Sequence, residues 1–173
     1  MHYFAQEYGE KGMDKEGFSG RDGRTTIFDY WSVDTMCRAD EGNLTEDEKK
    51  LADIYSKLMN FARTDKTVTG LSYDLMYANP HSASFNPDRQ YAFLRRSGCQ
   101  LLVVVVNFDN LDRDILLNIP EHAFEYLKLS DGKDVMGEEI LTGESFAACL
   151  SSKQPLSIHV PKYGAAIIKI NKA

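Results

Sequence analysis

The sequence has few cysteines, no excess of basic residues and no long hydrophobic segment. Its three cysteines, Cys37, Cys99 and Cys149, are far apart and form no C-x-x-C pair, which argues against a disulfide framework or a structural zinc site. We expect all three thiols to be free and mostly buried. The net charge of −6 at pH 7 argues against a nucleic-acid partner, because proteins that bind nucleic acids carry basic faces. No apolar run approaches the length of a membrane span, so no membrane partner is predicted.

Patterns typical of metal sites are also missing. The four histidines are scattered along the chain and form no H-x-x-x-H pair. Asp14, Glu16 and Asp22 lack the spacing of a calcium-binding loop, and a charged surface is the simpler explanation of these acids. The sequence therefore predicts neither a metal site nor a cofactor.

One apolar run organises the second part of the chain. Residues 101–106 read Leu-Leu-Val-Val-Val-Val, and Gly98 and the Asp109-Asn110 pair bound the run at strand length. Branched side chains favour an extended backbone, whereas helices usually need about ten residues or more. Because the run has no polar face, we predict a strand that is buried on both sides. A buried helix is the less favoured alternative.

A helix is predicted shortly before this strand. Thr45 and Glu48 have the spacing of a capping box, in which each side chain bonds to the backbone amide of the other residue. Apolar residues then recur at helical spacing, so one face of the helix is expected to be buried. The predicted helix ends near residues 64–66. Its apolar stripe comprises Leu51, Ile54, Tyr55, Leu58 and Ala62.

From residue 71 onward the hydrophobic pattern has a period of two. Residues 124–129 are interpreted as one more strand, which enters a hairpin turn at Asp131-Gly132. The total is about eight short strands at even spacing, which is typical of an antiparallel sandwich or barrel. A parallel sheet would need helical crossovers, and none are predicted. The other alternating segments lie at residues 73–77, 91–93, 115–119, 156–160 and 166–170.

Taken in order, these segments resemble the C-terminal end of an α-amylase superfamily enzyme of glycoside hydrolase family 13. Residues 3–9 (YFAQEYG) are similar to the end of the eighth strand of the catalytic barrel, and residues 21–25 (RDGRT) resemble the loop that follows it. Residues 45–63 resemble the eighth barrel helix. Residues 103–108 (VVVVNF) and 129–144 resemble a strand and a hairpin of the all-β domain known as domain C.

The resemblance implies a mainly β fold and a division of the chain into two parts. Residues 1–69 correspond to a loop and helix remnant of a (β/α)8 barrel, and residues 70–173 to an antiparallel Greek-key β-sandwich. In the family, domain C covers the barrel and stabilises it. The catalytic carboxylates of the family lie on barrel strands four, five and seven, which the resemblance does not include. We therefore expect an accessory domain of a glycosidase acting on α-glucans that is inactive alone.

The long glycine-rich segment at residues 6–40 is the predicted sugar-binding region. In a (β/α)8 barrel, loops that follow the strands line the active-site face. Tyr30 and Trp31 are therefore candidates for stacking on a sugar ring, and Arg21, Asp22 and Arg24 for binding its hydroxyl groups. The alternative is that Phe28 and Trp31 pack the loop onto the helix and Arg24 pairs with a nearby acid. This alternative is favoured, because binding sites need convergent groups from several elements.

Two other functions stay open. A non-catalytic carbohydrate-binding module would use residues 6–40 or exposed sandwich tyrosines such as Tyr73 or Tyr91. A structural or interaction protein is the third possibility. In either case we expect another surface to cover the apolar stripe of the predicted helix, together with Tyr3 and Phe4. Large apolar patches are rarely left exposed to water in soluble proteins. These residues either fold back on the sandwich or meet a second copy, and we favour a symmetric homodimer.

Overall fold

The structure is a computed structural model that describes residues 5–10 and 34–173. The chain divides into two compact units, Met1–Asn60 and Phe61–Ala173. The boundary predicted at residues 69 and 70 lies nine residues further along the chain and stays a prediction. Every helix within the described residues is too short or too polar to cross a bilayer.

The first unit contains two α-helices joined at a charged contact. Helix α1 spans Asp34–Asp40 and helix α2 spans Glu46–Thr64, whose last residues enter the second unit. The predicted capping box is confirmed. The Glu48 amide donates to the Thr45 hydroxyl over 3.3 Å, and the Thr45 amide donates to the Glu48 carboxylate over 2.8 Å. The Arg38 guanidinium also binds this carboxylate and, with the Thr45 amide, lowers the pKa of Glu48 to about 2.

The second unit is mainly antiparallel β-structure, as predicted. Its residues form eight strands, one seven-residue helix, and short 3-10 turns at Lys66–Thr69 and Met76–Ala78. The strands are β1 (Leu71–Asp74), β2 (Gln90–Ser97), β3 (Gln100–Asn107), β4 (Arg113–Leu117), β5 (Lys133–Glu139), β6 (Ser145–Leu150), β7 (Leu156–Val160) and β8 (Gly164–Ile170).

Two sheets enclose the core of this unit. Six strands form one sheet in the order β1-β2-β3-β8-β5-β6, and β4 pairs with β7 in a separate two-stranded sheet. Inward-facing side chains of both sheets belong to one cluster of buried residues. Burial of such apolar surface is the main favourable contribution to folding. The centre of the cluster includes Leu94, Leu101, Val103, Val105, Ile115, Leu117, Ile158 and Ile168.

Strand β3 is buried on both sides, which confirms the prediction from its sequence. Leu101, Val103 and Val105 face the core between the two sheets. Leu102 and Val104, which alternate with them, face the opposite side of the large sheet and are also buried. A strand in the middle of a sheet with two buried faces cannot show polar alternation, so its sequence is continuous in apolar residues.

The interpretation of residues 124–129 as a strand was wrong. Glu121–Leu127 form helix α3, which follows directly after Pro120. Its buried residues, Ala123, Phe124 and Leu127, have the spacing of one helical face. The turn at Asp131-Gly132 therefore joins a helix to β5 and is no hairpin between two strands. Gly132 has a φ of 68°, which glycine adopts at little cost.

Two further expectations are corrected by the structure. None of the three cysteines, all of which lie within the described residues, forms a disulfide, but Cys99 and Cys149 are exposed and Cys37 is half-buried. Cys99 lies in the turn between β2 and β3, and Cys149 lies on an outward-facing position of the edge strand β6. The apolar stripe of α2 is not buried either, since no residue of Glu46–Thr64 is buried.

Candidate functional site

The residues predicted to bind a sugar from the glycine-rich loop are Arg21, Asp22, Arg24, Tyr30 and Trp31. All five lie outside the described residues, as do Tyr3 and Phe4. Their role therefore stays a prediction.

The two sandwich tyrosines proposed as alternatives have different environments. Tyr73 is buried, with 8% of its surface exposed, so its prediction as an exposed stacking residue was wrong. Its position on β1 turns the ring toward the core cluster. Tyr91 is 42% exposed, as a stacking residue needs to be, and its ring centre lies 5.8 Å from that of Phe93.

The exposed ring of Tyr91 belongs to the face of the six-stranded sheet that points away from the core, which we call the outer sheet face. The register places Phe93 of β2 beside Val104 of β3, and Val104 beside Ile167 of β8. Neighbouring positions on the same side of each strand complete the face. On its three central strands, the outer sheet face comprises Tyr91, Phe93, Arg95, Leu102, Val104, Val106, Ala165, Ile167 and Lys169.

The centre of the outer sheet face is apolar. Leu102, Val104 and Ile167 are buried although they lie outside the cluster between the two sheets. Antiparallel sheets in water usually carry polar residues on the side that faces away from the core. These three side chains are therefore already shielded from water within the chain itself.

The cations on the outer sheet face are held by groups of the segment before β1. Arg95 donates to the Val68 carbonyl oxygen over 2.7 Å, and its guanidinium carbon lies 6.0 Å from the centre of the Phe93 ring. Lys169 forms an ion pair with Asp65, which also accepts from the Thr67 amide at 2.9 Å. These contacts fix the start of the second unit to its own large sheet.

The same contacts determine the ionisation of Asp65. Burial raises the pKa of this carboxyl group, but the hydrogen bonds from Lys169 and Thr67 lower the pKa by more, so it lies below its usual value. Asp65 is therefore ionised at neutral pH and stabilises the folded chain. This contribution is complete above about pH 4, where the carboxyl group of the unfolded chain is also ionised, and is lost as the pH falls through the folded-state pKa.

We expect Asp65→Asn to reduce the free energy of unfolding at neutral pH by about 1.5–3 kcal/mol, the range for hydrogen bonds to charged groups. The difference from the wild-type chain is expected to shrink as the pH falls below about 4. Urea unfolding at several pH values measures both effects. Asp134→Asn removes a carboxylate at an exposed position and serves as the control. Equal losses in the two variants, or a difference that grows in acid, would contradict the role of Asp65.

The arrangement of the outer sheet face suits packing better than chemistry. Its cations are engaged with Asp65, a backbone carbonyl and an aromatic ring. Within the part of the chain that the structure describes, no group of three or more His, Cys, Asp or Glu side chains is placed to hold a metal ion. Phe93, Arg95 and Lys169 were not predicted as site residues. The alternation of Tyr91 and Phe93 along β2 could have indicated that both aromatic rings share one face of the strand.

Comparisons with known proteins agree with this architecture. The family described as alpha amylase, C-terminal all-beta domain, matches residues 82–171, which is just over half of the chain. No curated protein sequence matches the chain.

Three solved structures have a similar fold. A noncanonic maltogenic alpha-amylase, AmyB from Thermotoga neapolitana, has a TM-score of 0.54 and 11% identity, over 75% of this chain and 27% of its own. AmyP, in complex with maltose, has a TM-score of 0.51 and 16% identity, over 73% of this chain and 22% of its own. Alpha-galactosidase I from Mortierella vinacea has a TM-score of 0.50 and 10% identity, over 75% of this chain and 29% of its own. The chain thus corresponds to less than a third of each of these proteins.

Proposed function

Because the chain belongs to the family of alpha amylase C-terminal all-beta domains, we propose that it is the accessory domain of an α-amylase-like glycoside hydrolase acting on α-glucans. The domain stabilises a catalytic barrel by packing against it and does not hydrolyse glucans itself. The observation that carries this proposal is the family match over residues 82–171 of the sandwich.

The exposed part of the outer sheet face, around Tyr91, is the surface proposed to contact the barrel, because the centre of the face is already buried within the chain. The ring of Phe93 lies beside that of Tyr91 and extends this aromatic surface. Aromatic side chains contribute large contact areas and are enriched at protein interfaces. The opposite side of the unit, formed by β4 and β7, alternates buried residues with exposed ones and has the pattern of a surface in water.

The test fuses the chain behind the catalytic barrel of an α-amylase that lacks its own C-terminal domain. The fusion is expected to raise the melting temperature of the barrel and the starch-hydrolysing activity that survives heating. Tyr91→Asp in the fused chain should remove most of this gain, because it buries a charge at the interface. Leu116→Asp is the matched control, since Leu116 is also a strand residue and is 47% exposed on the other side of the unit.

Equal losses in the two variants, or a fused chain that leaves the barrel as unstable as before, would contradict the proposed packing. The proposed lack of catalysis is tested on the chain alone. Incubation with maltoheptaose or soluble starch should release no new reducing ends.

A second copy of the chain is the proposed partner of helix α2. The stripe is incompletely covered, since Ile54 is 39% exposed and Leu51, Tyr55 and Leu58 are half-buried. Pairing of such stripes in a homodimer would remove apolar surface from water. Light scattering at high concentration should then give twice the monomer mass, and Ile54→Asp should return the monomer. A monomer mass for the unaltered chain at every concentration would rule out this dimer.

A further inference from the structure

Four aromatic side chains gather around a surface cavity in the second unit, beside the edge strand β1. Tyr73 lies on β1, Tyr77 on the 3-10 turn that follows it, and His122 and Tyr126 lie one turn apart on α3. The cavity has a volume of about 550 Å³ and is lined by these four residues together with Ser72 and Asp74. We call this site the tyrosine pocket.

The base of the tyrosine pocket is held by hydrogen bonds. The hydroxyl oxygen of the buried Tyr73 lies 2.5 Å from that of Tyr77 and 2.8 Å from Nδ1 of His122. Burial raises the pKa of the Tyr73 hydroxyl, which therefore keeps its proton at neutral pH. One buried hydroxyl group thus connects a loop residue to a helix residue, so the rings of both are fixed before any ligand arrives.

The walls of the pocket are aromatic rings that remain open to water. The Tyr126 ring centre lies 5.8 Å from that of Tyr73 and 6.3 Å from that of His122, with the His122 and Tyr126 planes 28° apart. Tyr77 is 66% and Tyr126 48% exposed. Leaving such rings in water gives up the free energy that their burial would provide. A ligand that covers them would recover this contribution.

Polar groups lie next to the exposed rings. They are the hydroxyl groups of Tyr77 and Tyr126 and the imidazole of His122, whereas the side chains of Ser72 and Asp74 alternate with Tyr73 on β1 and point to the other face of the sheet. A ligand that matches this surface has flat apolar faces for the rings and a border of hydroxyl groups for the two phenol groups and the imidazole. A pyranose ring has this chemistry, and the cavity falls within the usual range of about 300–1,000 Å³ for small-molecule sites.

We propose that the tyrosine pocket binds a pyranose unit of an oligosaccharide chain, with Tyr77 and Tyr126 as the stacking residues. The choice of an α-linked glucan as its ligand rests on the proposed function. The site lies on a different surface from Tyr91 and from the outer sheet face, because Tyr73 points to the core side of the large sheet. An accessory domain with this site would hold the polysaccharide near the enzyme in addition to stabilising the barrel.

Isothermal titration calorimetry of the full chain with maltoheptaose tests this proposal. We expect a saturable heat of binding, and Tyr77→Ala and Tyr126→Ala should each weaken the affinity by about tenfold or more, as expected for loss of a stacking ring. Both side chains are exposed, so both variants are expected to fold, and their melting temperatures check this. Tyr91→Ala removes an exposed tyrosine elsewhere and should bind like the unaltered chain.

The outcomes separate this inference from the proposed function. Absence of heat with every oligosaccharide tried, or equal affinities of the three variants, would overturn the tyrosine pocket as a sugar site, while the barrel-fusion experiment could still succeed. Binding of cellohexaose in preference to maltoheptaose, with the same loss in Tyr77→Ala and Tyr126→Ala, would support the pocket and overturn the choice of an α-linked glucan. Loss of binding only in Tyr91→Ala would place the sugar site at Tyr91 and overturn its location in the tyrosine pocket.

Discussion

Replacing Leu117 by alanine is expected to lower the free energy of unfolding by about 2–5 kcal/mol. Leu117 lies on β4 of the two-stranded sheet, is fully buried, and belongs to the cluster between the two sheets. Truncation removes three buried carbon atoms and leaves a cavity that the close-packed neighbours fill only in part. The loss is a large fraction of the total stability of an ordinary domain, which is about 5–15 kcal/mol.

The neighbouring residue provides a matched control. Leu116 lies on the same strand but faces the opposite side and is 47% exposed. Leu116→Ala is therefore expected to cost no more than about 0.5 kcal/mol, as for most surface substitutions. Urea unfolding followed by circular dichroism measures both values. Similar losses for the two leucines would mean that the two-stranded sheet does not pack against the large sheet in the way the structure describes.

The same strand shows what the sequence could predict. Ile115 and Leu117 alternate with polar or exposed positions, and the period of two identified both the strand and its buried face. The short helix α3 was not predicted, because no such period could be established there. Seven residues give fewer than two helical turns, too few to establish a period, and the aromatic residues Phe124 and Tyr126 also suit a strand.

Contacts between distant parts of the chain had no signal in the sequence. Asp65 pairs with Lys169, 104 residues away, and Tyr73 bonds to His122, 49 residues away. Local sequence patterns predict helices and strands, whereas such long-range pairs depend on the order of the strands in the folded sheet. The order of motifs did identify the family, because each motif is local and their succession is specific. The tyrosine pocket could not be found in this way, since Tyr73 and Tyr77 come together with α3 only after folding.

Asn107 at the end of β3 is expected to be among the most sensitive polar residues of the chain. Its side chain is fully buried, and its nitrogen donates to the carbonyl oxygens of Leu111 and Pro161 over 2.9 and 3.1 Å. Its oxygen accepts from the Gln90 side chain at 2.9 Å and from the Asp109 amide at 3.0 Å. An amide side chain has two donor hydrogens and one acceptor oxygen with two lone pairs, so its hydrogen-bonding capacity is filled.

This network extends to a charged group. The Asp109 side chain is only 4% exposed and binds the guanidinium groups of Arg89 and Arg113. The bond from Arg113 in particular lowers the pKa of Asp109, which is thus ionised at neutral pH. The hydrogen bond from the Asp109 backbone amide to the Asn107 side chain fixes the backbone that carries this carboxylate. Loss of Asn107 is therefore expected to disturb the ion pairs as well as the strand end.

Asn107→Leu keeps roughly the volume of the side chain but removes every one of its hydrogen bonds. Each buried partner left without a bond costs about 1–3 kcal/mol, so the loss from two carbonyl groups, the Asp109 amide and the Gln90 side chain is expected to approach the whole stability of the unit. Asn110→Leu is the control, because Asn110 is an exposed asparagine three residues further along. Urea unfolding should place the midpoint of Asn107→Leu far below that of Asn110→Leu.

Asn107→Asp separates the loss of donors from the change of shape. The carboxylate keeps the size of the asparagine side chain and can still accept from Gln90 and Asp109, but it places a negative charge against the Leu111 and Pro161 carbonyl oxygens. We therefore expect a destabilisation similar to that of Asn107→Leu. If the aspartate variant unfolds at the wild-type midpoint and only the leucine variant is unstable, the two donor bonds contribute little, and the acceptor side of the network holds the end of β3.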